Sequence, residues 1–448
     1  MYIAQQPAEA VKNSKLKFVK QYVNLLMLVF PVISFLVIPS IPGTTIITFF
    51  AGILCVIIFL TPLGGPKEKF VRELMIFSSI IIVLSICSQM INLLSDLKLP
   101  NDIFLLTLKN YTQNFYRLSH LTQTLNLMVG FTIYLYIKYF ADKKTITYIF
   151  WGVRLLCFYG IYELLFYLVF HTNGDFIVNR TFGYDNRTAS QFQTMNMGGI
   201  SVIRMTSYTG EPSMFVFTAF PFWVLAVGLK RKFDSFLILG CLLFTFSTTA
   251  YLAIVIFAAF WMVYKKEFQL IFYSLIALAG FCFVLQLDMF SHVFDSIYKI
   301  VFASKMSGSA SSSRDRMEHF QEHLTFWSNM NIYNEIVGVG FGYVRSTDFF
   351  STVMVNNGVL GLILFTSFFY DKLSYKIKPE QVQFTYKIAL VLLYFILMTT
   401  VPEFAYPSLW IFLGLAYVLS AVPKAVSSVQ PDMSITPYQQ RLLANNPA

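Results

Sequence analysis

Runs of about 20 apolar residues recur along the whole of this 448-residue chain. That is the length an α-helix needs to cross about 30 Å of hydrocarbon. In hydrocarbon every backbone N–H and C=O must find its partner within the chain, which leaves only helices and closed barrels. The runs are continuously apolar and do not alternate, so helices are expected and a β-barrel is not. Only 12% of the residues are charged, against about 25% in soluble globular chains.

The fold expected is an all-α polytopic membrane protein, with residues 1–448 forming a single integral membrane domain. About twelve spans can be drawn, near 22–40, 43–62, 73–94, 121–141, 147–170, 211–229, 234–247, 249–264, 268–287, 351–369, 384–401 and 407–422. The first run is not followed by a small-residue cleavage site and reads as a retained span. The seventh and eighth are short and separated only by FSTTA, residues 246–250. Basic flanks at 230–232 and 265–267 belong on one side, which asks for two crossings there. Cys55, Cys87, Cys157, Cys241 and Cys282 all lie in apolar runs, which excludes a disulfide framework or a zinc site in the loops.

Basic residues concentrate in the short segments 12–20, 67–72, 138–144, 230–232, 265–266 and 372–378. By the positive-inside rule these are cytoplasmic, as are the tails 1–21 and 423–448. Both termini are then cytoplasmic, and the net charge of +10 is a topology signal, not a nucleic-acid footprint. The loops near 95–120, 171–210 and 288–350 fall outside, in the periplasm if the chain is bacterial. The inner loops are too short to hold a catalytic domain, so any chemistry belongs to the outer boundary.

Four stretches carry polar chemistry there. In RMTSYTGEPSMF (204–215), Pro212 suits the first helical position and Glu211 the N-cap. Free N–H groups at that helix start, with Arg204 nearby, make a seat for an anion such as phosphate. A capped helix whose glutamate pairs with an arginine reads equally well. NRTFGYDNRTAS (179–190) offers Arg180 and Arg187, as a phosphate or sugar clamp or as a solvated loop. SGSASSSRDRMEHFQEHLTFW (307–327) leads from a serine-rich segment through Arg314 and Arg316 into an amphipathic helix with Phe320, Leu324 and Trp327 on one face. His319 and His323 lie i, i+4 on it, beside Glu318 and Glu322. No third fixed ligand accompanies them, so a surface helix is the reading and no metal site is assigned. GVGFGYVRSTDFFSTVMVNNGVLGLILF (338–365) has no strand before its glycines, which excludes a nucleotide fingerprint and points to a tight turn near other backbone. Arg345 and Asp348 follow it, and Asn356, Asn357 and Gly358 interrupt the next span. Glu163 within a span and Glu403 in a short outer turn are further carboxylates with a partner or a task.

The layout of spans, Arg204 ahead of GEPS (210–213), S-x-R-x-R at 312–316, and GVGFG followed by NNGVLGLILF together resemble the bacterial O-antigen polymerase and ligase superfamily. The resemblance implies a GT-C-like glycosyltransferase of the inner membrane. It would need no cofactor or metal and would act on sugars linked to undecaprenyl diphosphate at the periplasmic face. A polymerase moves the growing glycan onto a new lipid-linked repeat unit; a ligase moves it onto lipid A-core. Ligases of the superfamily carry a histidine where this chain has Thr347–Asp348, which favours the polymerase. A lipid-linked oligosaccharide flippase is the rival from another class, but no internal repeat is evident. The implied partners are the lipid-linked repeat units, the bilayer, a chain-length regulator (polysaccharide co-polymerase) and a flippase. Arg204, Arg314 and Arg316 would hold the diphosphate, with Arg180, Arg187 and Arg345 as further substrate contacts. Glu211 is the first choice of general base and Asp348 the second.

Overall fold

A computed structural model describes residues 5–38, 43–95, 97, 117–172, 174–175, 194–197, 200–266 and 311–420. The expected span at 268–287, Arg180, Arg187 and the tail 423–448 lie outside these residues. In chain order the helices are α1 (Gln5–Val29), α2 (Ile46–Leu60), α3 (Gly65–Leu94), α4 (Leu118–Phe140), α5 (Lys143–Phe170), α6 (Pro212–Gly228), α7 (Lys232–Leu243) and α8 (Thr248–Lys265). After the next described stretch begins come α9 (Ser311–Ser328), α10 (Ile332–Val337), α11 (Phe349–Leu373), α12 (Glu380–Thr400) and α13 (Pro407–Ser420).

The protein is a helical one, and among the described residues five helices are long and apolar enough to cross a membrane: α3, α5, α8, α11 and α12. Three more, α2, α6 and α13, are apolar but shorter. Among the described residues helices overlap eleven of the twelve expected spans, and not all eleven are full-length crossings. The helix in the first stops at Val29 because Pro31 follows, and Leu36 instead bridges Thr45. The twelve residues of α7 rise only about 18 Å, well short of the hydrocarbon thickness. The expected all-α chain also contains a small antiparallel hairpin, β1 (Thr194–Met197) on β2 (Ile200–Ile203), leading directly into Arg204.

α6 is the centre of the bundle. It is apolar on every face, as a helix buried all round must be, and packs against α5, α7, α8, α12 and α13. α1 lies on α5, α4 on α13 and α3 on α4, and one continuous apolar core joins them. At the end bearing the basic loops, buried Asp234 of α7 accepts from Arg154 Nε at 2.6 Å and from Arg231 Nε at 2.6 Å. α7 runs back along α6 but is five residues shorter. Its far end therefore stops roughly 7 Å below the start of α6. That shortfall leaves a recess beside the N-terminal end of α6.

α11 is broken at Gly358, where φ 61° and ψ −165° lie in a region open essentially to glycine alone. The break frees backbone carbonyls, and the glycine-rich turn takes them up. Val339 N donates to Val355 O at 2.9 Å and Gly340 N to Asn356 O at 2.8 Å. Asn356 completes the joint, its Oδ1 accepting from Val344 N at 2.9 Å and its Nδ2 donating to Val344 O at 2.9 Å. A Cβ at Gly358 would overlap the Glu335 carbonyl, and one at Gly338 would overlap the Asn356–Asn357 peptide. So the glycines serve as the tight, closely approached turn the sequence suggests. Gly358→Ala is expected to lower stability by about 1–3 kcal/mol from backbone strain, with a further loss from the clash. A thermal melt of the purified protein in detergent checks this, and an unchanged Tm would mean the break is not held by Gly358.

Candidate active site

The stretch 204–211 is fastened at nearly every residue. Arg204 Nε donates to Thr245 O at 3.1 Å and its Nη2 to Phe246 O at 3.3 Å, two carbonyls of the turn between α7 and α8. Met205 N donates to Phe244 O at 3.0 Å. Ser207 N reaches the buried carboxylate of Glu163 at 2.9 Å, and Ser207 Oγ donates to Leu156 O at 2.6 Å. Tyr208 O accepts from both Ser34 N and Ser34 Oγ. Glu163 is thus a tie between α5 and this segment. The segment ends at Glu211, whose extended backbone is the N-cap of α6 and whose carbonyl accepts from Phe215 N at 3.0 Å.

Glu211 caps with its backbone only. Its side chain makes no capping bond and, among the described residues, accepts only from the Ser213 hydroxyl, at 3.4 Å. It lies in the attractive fields of Arg204 and Arg345 without forming an ion pair with either among the described residues. Of the two readings left open by the sequence, the side-chain cap is therefore the one that does not form.

Two cavities meet at this carboxylate. The larger, about 690 Å³, fills the recess above α7 and is lined by Arg204, Glu211 and Arg316, by Ser247, Thr248 and Thr249 of the α7–α8 junction, and by α8 and α12. Its deeper walls, Leu252, Ile256, Leu392 and Phe395, are apolar. The smaller, about 340 Å³, is lined by Met214, His319, Arg345, Ser346, Thr347 and Pro402. Glu211, Ser213, Arg316 and Thr400 line both.

The arginines differ in their partners. Arg345 is paired with Glu403, and burial pushes its guanidinium below its ordinary value. Arg204 is also pushed down, by burial first and then by Arg316. A guanidinium stays charged regardless, and both Arg204 and Arg316 line the larger cavity. Arg316 has no carboxylate at ion-pairing distance among the described residues. Tyr406 adds a buried hydroxyl with no hydrogen-bond partner among the described residues, held beside Arg345 and Glu211.

The structure separates residues that the sequence groups together. Arg314 and Arg316 sit two apart on α9, about 200° around the helix, so only one can face the cavities. Arg316 does; Arg314 is exposed and pairs with Glu318 at 3.8 Å. Asp348 is the N-cap of α11 and is committed to that task. It accepts from Ser351 N at 2.7 Å, Ser351 Oγ at 2.7 Å and Ser346 Oγ at 3.2 Å, and it lines neither cavity. His319 faces the smaller cavity and meets Glu322 at 3.2 Å. His323 is buried, and burial pushes its imidazole down. Its Nδ1 donates to His319 O at 2.6 Å, and the two ring centroids are 6.4 Å apart.

Several lining residues escaped the sequence reading. Ser247, Thr248 and Thr249 are the polar triplet inside FSTTA, and Thr399 and Thr400 precede VPEF. Hydroxyls clustered at the ends of apolar runs were the available signal. No family model matches the chain, and no curated protein matches its sequence.

Proposed function

We propose that the chain is a polymerase of O-antigen or a related surface polysaccharide. It transfers a growing glycan from undecaprenyl diphosphate onto a new lipid-linked repeat unit. The observation that carries this is the junction of the two cavities. There two arginines face each other without a neutralising carboxylate on Arg316, beside a nearly unbonded glutamate, at the head of an apolar cleft.

Each part supplies one need of the reaction. Two guanidinium groups that repel one another are stabilised by an anion bound between them, and a diphosphate is such an anion. Negative charge grows on that diphosphate as it leaves, so fixed donors there stabilise the transition state more than the ground state. Glu211 accepts the proton of the attacking hydroxyl. The apolar walls of the larger cavity suit the prenyl chain. Arg204 and Arg316 are the diphosphate residues, Arg345 a substrate contact through the smaller cavity, and Arg180 and Arg187 complete the assignment from the sequence.

The test is incubation of the pure protein with a lipid diphosphate-linked repeat unit. A ladder of longer lipid-linked products is expected. Transfer only when lipid A-core is added would make it a ligase. Movement across vesicles with no product would make it a flippase.

The reading needs the site on the periplasmic face of the inner membrane, with both termini cytoplasmic. A single cysteine placed at Glu318, exposed on α9, in a cysteine-free variant is expected to react with an impermeant thiol reagent in intact spheroplasts. Labelling confined to lysed cells reverses the orientation and removes the site from its substrate.

A further inference from the structure

The two cavities differ in what builds their walls, and that difference bears on which substrate enters each. The larger reaches down between α8 and α12, where Leu252 and Phe395 are 61% and 57% exposed. It therefore opens sideways, along two helices of membrane-crossing length. The smaller has walls from α9, the segment before α11 and the segment after α12. Besides the polar residues it shares with the larger cavity, its polar groups are His319, Arg345, Ser346 and Thr347, with the Tyr406 hydroxyl, unpartnered among the described residues, beside Arg345. At about 340 Å³ it is near the lower end of small-molecule pockets, about 300–1,000 Å³. That suits the terminus of a glycan and not a whole repeat unit with its lipid.

The reacting ends of the two glycans are placed oppositely. On one, the carbon attacked is bonded to the diphosphate, so it is held at the headgroup level with its prenyl chain in hydrocarbon. On the other, the attacking hydroxyl is at the non-reducing end, separated from its own diphosphate by every sugar of the repeat unit.

Resting on the polymerase reading, we infer that the smaller cavity is the acceptor subsite, that it recognises a non-reducing terminal sugar away from that sugar's own lipid, and that the acceptor needs no lipid anchor. The terminal hydroxyl lies in the smaller cavity, next to Glu211. Its oxygen bonds to the anomeric carbon held in the larger one. The carbon–oxygen bond to the diphosphate breaks, the diphosphate leaves with the electron pair between Arg204 and Arg316, and the proton passes to Glu211. The residues shared by both cavities are those at the point of transfer.

The experiment supplies the full-length protein with a lipid diphosphate-linked glycan and, as acceptor, the repeat-unit oligosaccharide as a water-soluble fluorescent glycoside. Lengthening of the soluble glycoside is expected. T347W, filling the smaller cavity from a partly buried position, is expected to raise KM for the glycoside tenfold or more and to leave KM for the lipid-linked glycan within twofold. L252W is expected to do the converse, and T347A guards against a folding defect by removing contacts without adding bulk. A preparation that polymerises lipid-linked units but leaves the glycoside unextended overturns the inference and spares the polymerase reading. Equal effects of T347W on both substrates also overturn it. A preparation that forms no polymer even from lipid-linked units overturns the polymerase reading, and the inference with it.

Discussion

Replacing Arg316 with alanine is expected to lower glycan polymerisation by on the order of 100-fold, the usual cost of losing an oriented charge donor, without lowering thermal stability. Arg316 makes no ion pair among the described residues and faces the like charge of Arg204. Removing it relieves repulsion, so Tm holds or rises slightly. Lysine at 316 should recover little, because a point charge does not reproduce the planar fork that grips two phosphate oxygens. Arg204→Ala makes the contrast. It should lose comparable activity but also stability, since the carbonyls of Thr245 and Phe246 lose their donor. Turnover of lipid-linked repeat units and a melting curve on each variant decide the matter. Full activity in Arg316→Ala would remove the diphosphate from this site.

Glu211→Gln should cost about 10²–10⁴-fold in turnover, the range for loss of a general base. The substitution keeps size and shape, and the side chain makes no capping bond, so folding and lipid binding should survive. This is where the geometry sharpens the sequence reading, which left capping and catalysis together. Asp348→Asn is the companion measurement. Its carboxylate is held by three donors at the start of α11, so its loss should show in the melting curve at about 0.5–2 kcal/mol. A near-normal ladder from Glu211→Gln would transfer the base role away from it.

The helices were legible because apolar runs fix them, and one start was too: Pro212 after Glu211 begins α6 where local chemistry says it should. The cap of α11 was not, since the sequence makes Asp348 a candidate base and not the N-cap it forms. Arg204, Glu211, Arg316 and Arg345 could be named because charge beside a membrane run is expensive and rarely idle. The sorting among them was not legible. Whether Arg314 or Arg316 faces the cavity depends on the rotation of α9, which i, i+2 spacing leaves undetermined. That Arg345 is neutralised by Glu403 requires the segments before α11 and after α12 to meet, and no local pattern encodes that meeting. The shortness of α7 was visible as a brief run. Its consequence, a recess beside α6, depends on the length of its neighbour. The hairpin before Arg204 was missed because four-residue strands give too little alternation to register.

The interlock of Gly338 with Asn356–Asn357 and of Gly358 with Glu335–Ile336 makes residues 332–358 one inheritable block. The turn carrying Arg345 fits only a helix broken at that level, and the broken helix is satisfied only by that turn. Chimeras built to alter which glycan is extended should therefore exchange the whole block. A graft cut between Val344 and Asp348 joins a turn to a helix whose break it was not shaped for, and such hybrids should express poorly whatever sugar they are meant to read.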